Sequence, residues 1–259
     1  MEKVLGHCMQ ERLVALVTGG SRGIGAETVL ALAEHGYDVA FTYRNKATRA
    51  TEVAAAITQQ GREALALCCD ITQVDNVVRL FQHIDQWKAR LDILVLNASG
   101  GMERDLVAAD PDYPMHINRD AQLALVKAAL PRLRPGGVIV FVTSHWAHLY
   151  GKMQQLPAYE PVAESKYAGE QALRALQPEL DASGLRLLVV TGDLIEGTIT
   201  PKLLERTAPG LIDQRRTTQG ALPTAHDMGQ VIVQAALNPD LSSGATIVIG
   251  TPLASLLTP

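Results

Sequence analysis

Seven short apolar runs recur along the chain, separated by longer stretches in which apolar positions return with helical spacing. The runs are LVALV (13–17), VAFTY (39–43), ALALCC (64–69), ILVLN (93–97), VIVFVT (138–143), LRLLVV (185–190) and ATIVIG (245–250). Their apolarity is continuous rather than alternating, which marks strands covered on both faces, as in a parallel sheet. The intervening stretches, such as Ala26 to His35, Thr48 to Gln60 and Val74 to Lys88, lack internal proline and read as helices. The order strand, helix, strand repeats, so the pattern predicts one doubly wound α/β domain with a seven-stranded parallel sheet. One segment departs from this rhythm. Glu196 to Leu222, between the sixth and seventh runs, carries Pro201, Pro209, Gly210, Arg215 and Arg216. An insertion of that length predicts a small lid over a site, with a peripheral helix pair as the plainer alternative.

Composition narrows the partners. With 259 residues, 47% of them hydrophobic, the chain buries a substantial core. Its 23 basic and 27 acidic residues are scattered, so nothing marks a surface for nucleic acid or for a membrane, and the expected partner is a small molecule or a protein. Cys8, Cys68 and Cys69 offer neither a metal-ligand spacing nor a disulfide framework, and the adjacent pair falls in what reads as a buried strand. No metal site is expected, and the setting expected is reducing and cytoplasmic. The start MEKVLGHCMQERL has no apolar stretch of signal-peptide length, and no later segment reaches the length of a membrane span.

The first run is followed by VTGGSRGIGAE, in which Gly19, Gly23 and Gly25 precede a predicted helix. Glycines there let the chain turn sharply and a pyrophosphate approach the backbone, while the helix N-terminus presents free N–H groups. The chain resembles the short-chain dehydrogenase/reductase family over about residues 11–250, on motifs that follow in family order. The segment Thr18 to Gly25, with Ser21, Arg22 and Ile24 between the glycines, resembles the family's nucleotide loop. Asp70-Ile71 are similar to the pair beside the adenine ring, and Asn97-Ala98-Ser99 to the Asn-Ala-Gly turn, with serine in place of glycine. The resemblance implies a single Rossmann dinucleotide-binding domain spanning 1–259. The second strand ends in Tyr43-Arg44-Asn45-Lys46 rather than in an acidic residue, so Arg44 with Arg22 is expected to grip the 2′-phosphate of NADP(H).

The family reduces carbonyls with an asparagine, a serine and a Tyr-x-x-x-Lys pair. Asn118, Ser144 and Lys166 match the first, second and last, but Val162 stands where the tyrosine is expected. A tyrosine four residues before a lysine shares its helical face, where the ammonium lowers the phenol pKa. Valine donates no proton, and losing a general acid costs about 10²- to 10⁴-fold in rate. Tyr159, just before Pro161, is the candidate replacement; Pro161 is expected in the first helical turn, with Glu160 extended and Tyr159 outside the helix. His145, His148 and Tyr150 are weaker candidates. After the sixth run, Gly192 and Leu194 are expected to flank the nicotinamide, and Glu196 either binds substrate or caps a lid helix.

These expectations describe an NADPH-dependent carbonyl reductase with an atypical active site. Similarity to 3-oxoacyl-carrier-protein reductases brings acyl and polyketide substrates into range, and the family's habit implies a homodimer or homotetramer. Two alternatives stay open: an NADP(H)-binding partner or sensor with little turnover, and a non-redox dehydratase or isomerase using Asp193 or a loop histidine as base.

Overall fold

The computed structural model describes residues 12–257, so Cys8 and most of the N-terminal stretch lie outside the described residues. Seven strands form one parallel sheet in the order β3-β2-β1-β4-β5-β6-β7. In chain order the first half comprises β1 (Val14–Val17), α1 (Gly23–Glu34), β2 (Asp38–Tyr43), α2 (Ala47–Gln59), β3 (Ala64–Cys68), α3 (Val74–Trp87) and β4 (Leu91–Leu96). The short helices α4 (Arg104–Ala109) and α5 (Tyr113–Met115) follow, then a π turn (His116–Asp120) that runs into α6 (Ala121–Ala129). The rest is β5 (Leu133–Ser144), α7 (His145–His148), α8 (Glu160–Ala175), α9 (Gln177–Ala182), β6 (Arg186–Gly192), α10 (Ile199–Thr207), α11 (Leu211–Gln219), α12 (Ala225–Leu237), β7 (Thr246–Ile249) and α13 (Leu253–Leu256).

The sheet is covered on both faces, which is why its central strands are apolar without alternation. Leu16, Leu94 and Ile139 pack with α3, α6 and α8 on one face. Val17, Val95 and Val140 pack with α1 and α12 on the other. The expectation for ALALCC needs correction. It forms the edge strand β3, whose residues are half-buried; Cys68 is exposed and only Cys69, beyond the strand end, is buried. Apolarity alone does not separate an edge from a centre.

A second correction concerns the entry to α8. Glu160 is the first residue of the helix rather than extended, and Pro161 sits in the first turn. The N–H groups of Tyr159 and Glu160 both donate to the Leu156 carbonyl (2.8 and 2.9 Å), so a turn winds the chain before the proline acts. Tyr159 itself is the N-cap, outside the helix as expected. The segment 196–222 folds as the helix pair α10 and α11. Leu204, Leu211 and Ile212 from this pair join a third apolar cluster with Trp146, Tyr159 and Val162. Among the described residues no helix is long and apolar enough to cross a membrane.

Candidate active site

The carboxyl ends of the strands converge on a cleft of about 710 Å³, and all the glycine-loop residues singled out in the sequence (Gly19, Ser21, Arg22, Gly23, Ile24 and Gly25) line it. Strands β1 and β4 are laced together at its floor. Thr18 Oγ1 accepts from the N–H groups of Asn97 and Ala98 (both 3.0 Å), and Asn97 Nδ2 donates to the Thr18 carbonyl (2.9 Å). Gly19 holds a left-handed φ of 71°, and a Cβ on Gly25 would lie 2.1 Å from the Gly19 oxygen. Only glycine fits that crossing, which brings the start of α1 against the loop and aims its first N–H groups into the cleft.

The far end of the cleft is charged. Asp70 and Ile71 line it, Asp70 accepting from the Thr72 N–H and hydroxyl (3.0 and 2.7 Å) while Ile71 is buried. Ala98 and Ser99 also line the cleft. Arg22 is exposed at the rim. Arg44 is engaged: it donates to the Tyr113 hydroxyl (2.5 Å) and to Glu103 Oε1 (3.3 Å). Burial and the Glu103 carboxylate push the Tyr113 phenol up, while Tyr113 and Glu103 help to raise the Arg44 pKa against the opposing effect of burial.

At the other end, β5 and α8 bring the chemical groups together. Tyr159, buried at the N-cap of α8, donates from its hydroxyl to Ser144 Oγ at 3.1 Å. Ser144 also caps α7, accepting from the Ala147 N–H at 3.2 Å. Both its lone pairs are then taken, so its own proton is the group left to offer. Burial raises the Tyr159 pKa, against a smaller opposing effect of the Ser144 bond, and the side chain stays a phenol at neutral pH. Lys166 lines the cleft 8% exposed; among the described residues it has no hydrogen bond or ion pair with a protein group, and burial lowers its pKa to about 8. Val162, one turn before Lys166 on α8, is buried and lines the cleft.

Asn118 is buried inside the π turn, an irregularity often found at functional sites. Its Nδ2 donates to the Gly100 carbonyl (2.9 Å) and to Ser165 Oγ (3.0 Å), bracing the loop after β4 against α8. A Cβ on Gly169 would meet the Asn118 oxygen at 2.1 Å, so glycine permits this close packing. Gly192 and Leu194 line the cleft, Leu194 fully buried. Glu196 does not cap α10, whose N-cap is Thr198; its carboxylate pairs with Arg216 of α11 at 2.7 Å.

The other acid candidates are occupied elsewhere. His145 is buried with Nδ1 on Thr191 Oγ1 (3.0 Å), and burial lowers its pKa. His148 pairs with buried Glu170 (2.9 Å), and Tyr150 rests against the Tyr167 ring. Asp193 lines the cleft but is tied to Thr251 (3.3 Å) and Arg215 (3.7 Å). The sequence reading missed Glu103, Tyr113 and Trp146. Trp146 packs edge-on against the Tyr159 ring at 5.8 Å, and only its nearness to Ser144 in sequence pointed to the site.

The chain is similar to known proteins. The profile of the family described as short chain dehydrogenase matches residues 13–207. A hydroxynaphthalene reductase of Aspergillus fumigatus is 34% identical over 202 residues, covering 76% of this chain and 71% of that protein. A 1-cyclohexenylcarbonyl-CoA reductase of Streptomyces collinus is 30% identical over 191 residues, covering 71% and 65%. Several fungal relatives match over only 60% of their own length. The crystal structure of a short chain dehydrogenase from Burkholderia cenocepacia in complex with NADP superposes with a TM-score of 0.80 at 29% identity, covering 94% of this chain and 98% of that one. With its Rossmann-type sheet, its glycine loop and this match over most of its length, the chain belongs to the short chain dehydrogenase family of oxidoreductases.

Proposed function

We propose that the protein is an NADPH-dependent reductase of a carbonyl in a small, largely apolar substrate, with Tyr159 acting in place of the tyrosine that Val162 displaces. The observation that carries this reading is the 3.1 Å bond from the Tyr159 hydroxyl to Ser144 Oγ, in the cleft that also holds Lys166. The residues fit the cofactor: the loop from Gly19 to Gly25 lines the cleft at the N-terminus of α1, and Arg22 and Arg44 stand at the end where a 2′-phosphate would be held. Bound there, NADPH supplies the hydride.

Everything else falls to the chain itself. Ser144, with both lone pairs occupied, offers its hydroxyl proton to the substrate oxygen and polarises the carbonyl. As the oxygen becomes an alkoxide it takes the Ser144 proton, while Ser144 takes that of Tyr159; the tyrosinate regains a proton from solvent. The raised Tyr159 pKa keeps the donor protonated at neutral pH. Lys166, in the same cleft, holds the nicotinamide ribose on this reading. Asn118, whose side-chain donors are both taken, serves as the brace between Gly100 and Ser165.

The wall of Trp146, Val162 and Leu194 suits an apolar carbonyl compound, and the names of the relatives suggest cyclic, aryl and acyl thioester compounds as the first panel, 3-oxoacyl types included. The test is NADPH consumption across that panel. Tyr159→Phe is expected to lower kcat by about 10²- to 10⁴-fold with the Kd for NADPH unchanged. A variant as fast as the wild type removes Tyr159 from the mechanism. If the wild type binds NADPH but reduces nothing, the reading of a cofactor-binding protein, favoured by Val162, replaces this one. Light scattering tests the dimer or tetramer that the family's habit suggests.

A further inference from the structure

A second cavity of about 480 Å³ adjoins the cleft at its far end, and the two share Arg44, Asn45, Asp70 and Glu103. The Arg44–Glu103 pair therefore stands between them. Arg44 Nη1 donates to the Tyr113 hydroxyl and Nη2 to Glu103 Oε1. Glu103 is itself anchored, because its second oxygen accepts from the Gly101 N–H at 2.8 Å. Both charged side chains are about two-thirds buried, at 32% and 35% exposure, so the pair is screened less than a surface one. Arg44 thus already holds an anion, in the place where a nucleotide phosphate would need it.

We infer that Glu103 is a cofactor-affinity residue: its carboxylate competes with the 2′-phosphate of NADP(H) for Arg44, while Tyr113 keeps the guanidinium poised between the two. This rests on the reading that the cleft binds NADP(H). The competition is selective by its chemistry. NADP(H) carries a dianion that takes over the arginine, and its apparent affinity is reduced by the share of molecules in which Glu103 holds that arginine. NADH has no group to claim Arg44, so it binds without breaking the bond. Glu103 acts only through Arg44, which makes it a positioning residue with a readout that a structural role would not move.

The experiment measures the Kd of NADPH and of NADH by nucleotide fluorescence for the wild type, Glu103→Gln, Arg44→Leu and the double variant, with thermal melts alongside. Glutamine keeps the shape and an acceptor for Gly101. Glu103→Gln is expected to tighten NADPH about 3- to 10-fold while moving NADH less than about twofold. On the Arg44→Leu background the same change is expected to do nothing. An unchanged or weakened Kd for NADPH in Glu103→Gln overturns the inference. So does equal tightening on the Arg44→Leu background, which would mean simple repulsion of the phosphate by Glu103. Should Glu103→Gln fail to fold, Tyr113→Phe loosens the same arginine and is expected to shift the NADPH Kd with NADH unmoved; no shift overturns it equally. A wild type that binds NADPH but shows no Glu103 effect removes the competition alone. A wild type that binds no NADPH removes the reading of the cleft, and the inference with it.

Discussion

An ammonium buried without a carboxylate beside it destabilises the fold that carries it, and Lys166 is such a group. Its native pKa of about 8 lies below the 10.5 of an exposed lysine. Between those values the unfolded chain holds the proton and the native chain does not, so stability rises with pH across that window. At pH 7 both states are charged and the penalty stands in full, at about 3 kcal/mol. Lys166→Met is therefore expected to be more stable than the wild type at pH 7 and inactive as a reductase, with the stability gain shrinking by pH 9.5. Urea unfolding at the two pH values checks this, and an equal gain at both would refute it. The identity of Lys166 was legible from its order after Asn118 and Ser144. Its burial was not, because that depends on tertiary packing of α8 in the cleft, which no local pattern declares. The partners of Arg44 were equally hidden, 59 and 69 positions along the chain, where no local pattern connects them.

At the level of elements, the strands and long helices could be read to within a few residues, since buried strands and amphipathic helices declare their period. The irregular pieces could not. The π turn that holds Asn118 has an ordinary helical composition, and what stabilises it is α8, packed so closely that Gly169 admits no side chain. Gly169→Ala is expected to cost about 1–3 kcal/mol, seen as a lower denaturant midpoint, and to lower kcat by shifting Ser165 and Lys166 together. A variant as stable as the wild type would show that the two elements separate without cost. The start of α8 was misjudged by one residue for a similar reason: the turn at Leu156 winds Glu160 into the helix against the usual preference before proline.

Across the whole molecule, two large cores flank the sheet, and a smaller apolar cluster joins the helix pair α10 and α11 to the chemical groups. The smaller cluster is expected to open first under denaturant. Trp146 belongs to it, whereas Trp87 packs against the core beneath α3. In a Trp87→Phe variant, the fluorescence of Trp146 is expected to change at lower urea than the far-UV circular dichroism; coincident transitions would show one cooperative unit. The segment 196–222 was legible as an interruption of the strand and helix rhythm, but not that its leucines share an apolar cluster with Tyr159. That arrangement has an evolutionary consequence. Where the proton donor sits on the helix face above its lysine, the side chain at that position is not free to vary. On the reading proposed above the donor stands at the helix entrance, so residue 162 carries no proton of its own and is constrained only by its packing with Trp146 and Tyr159.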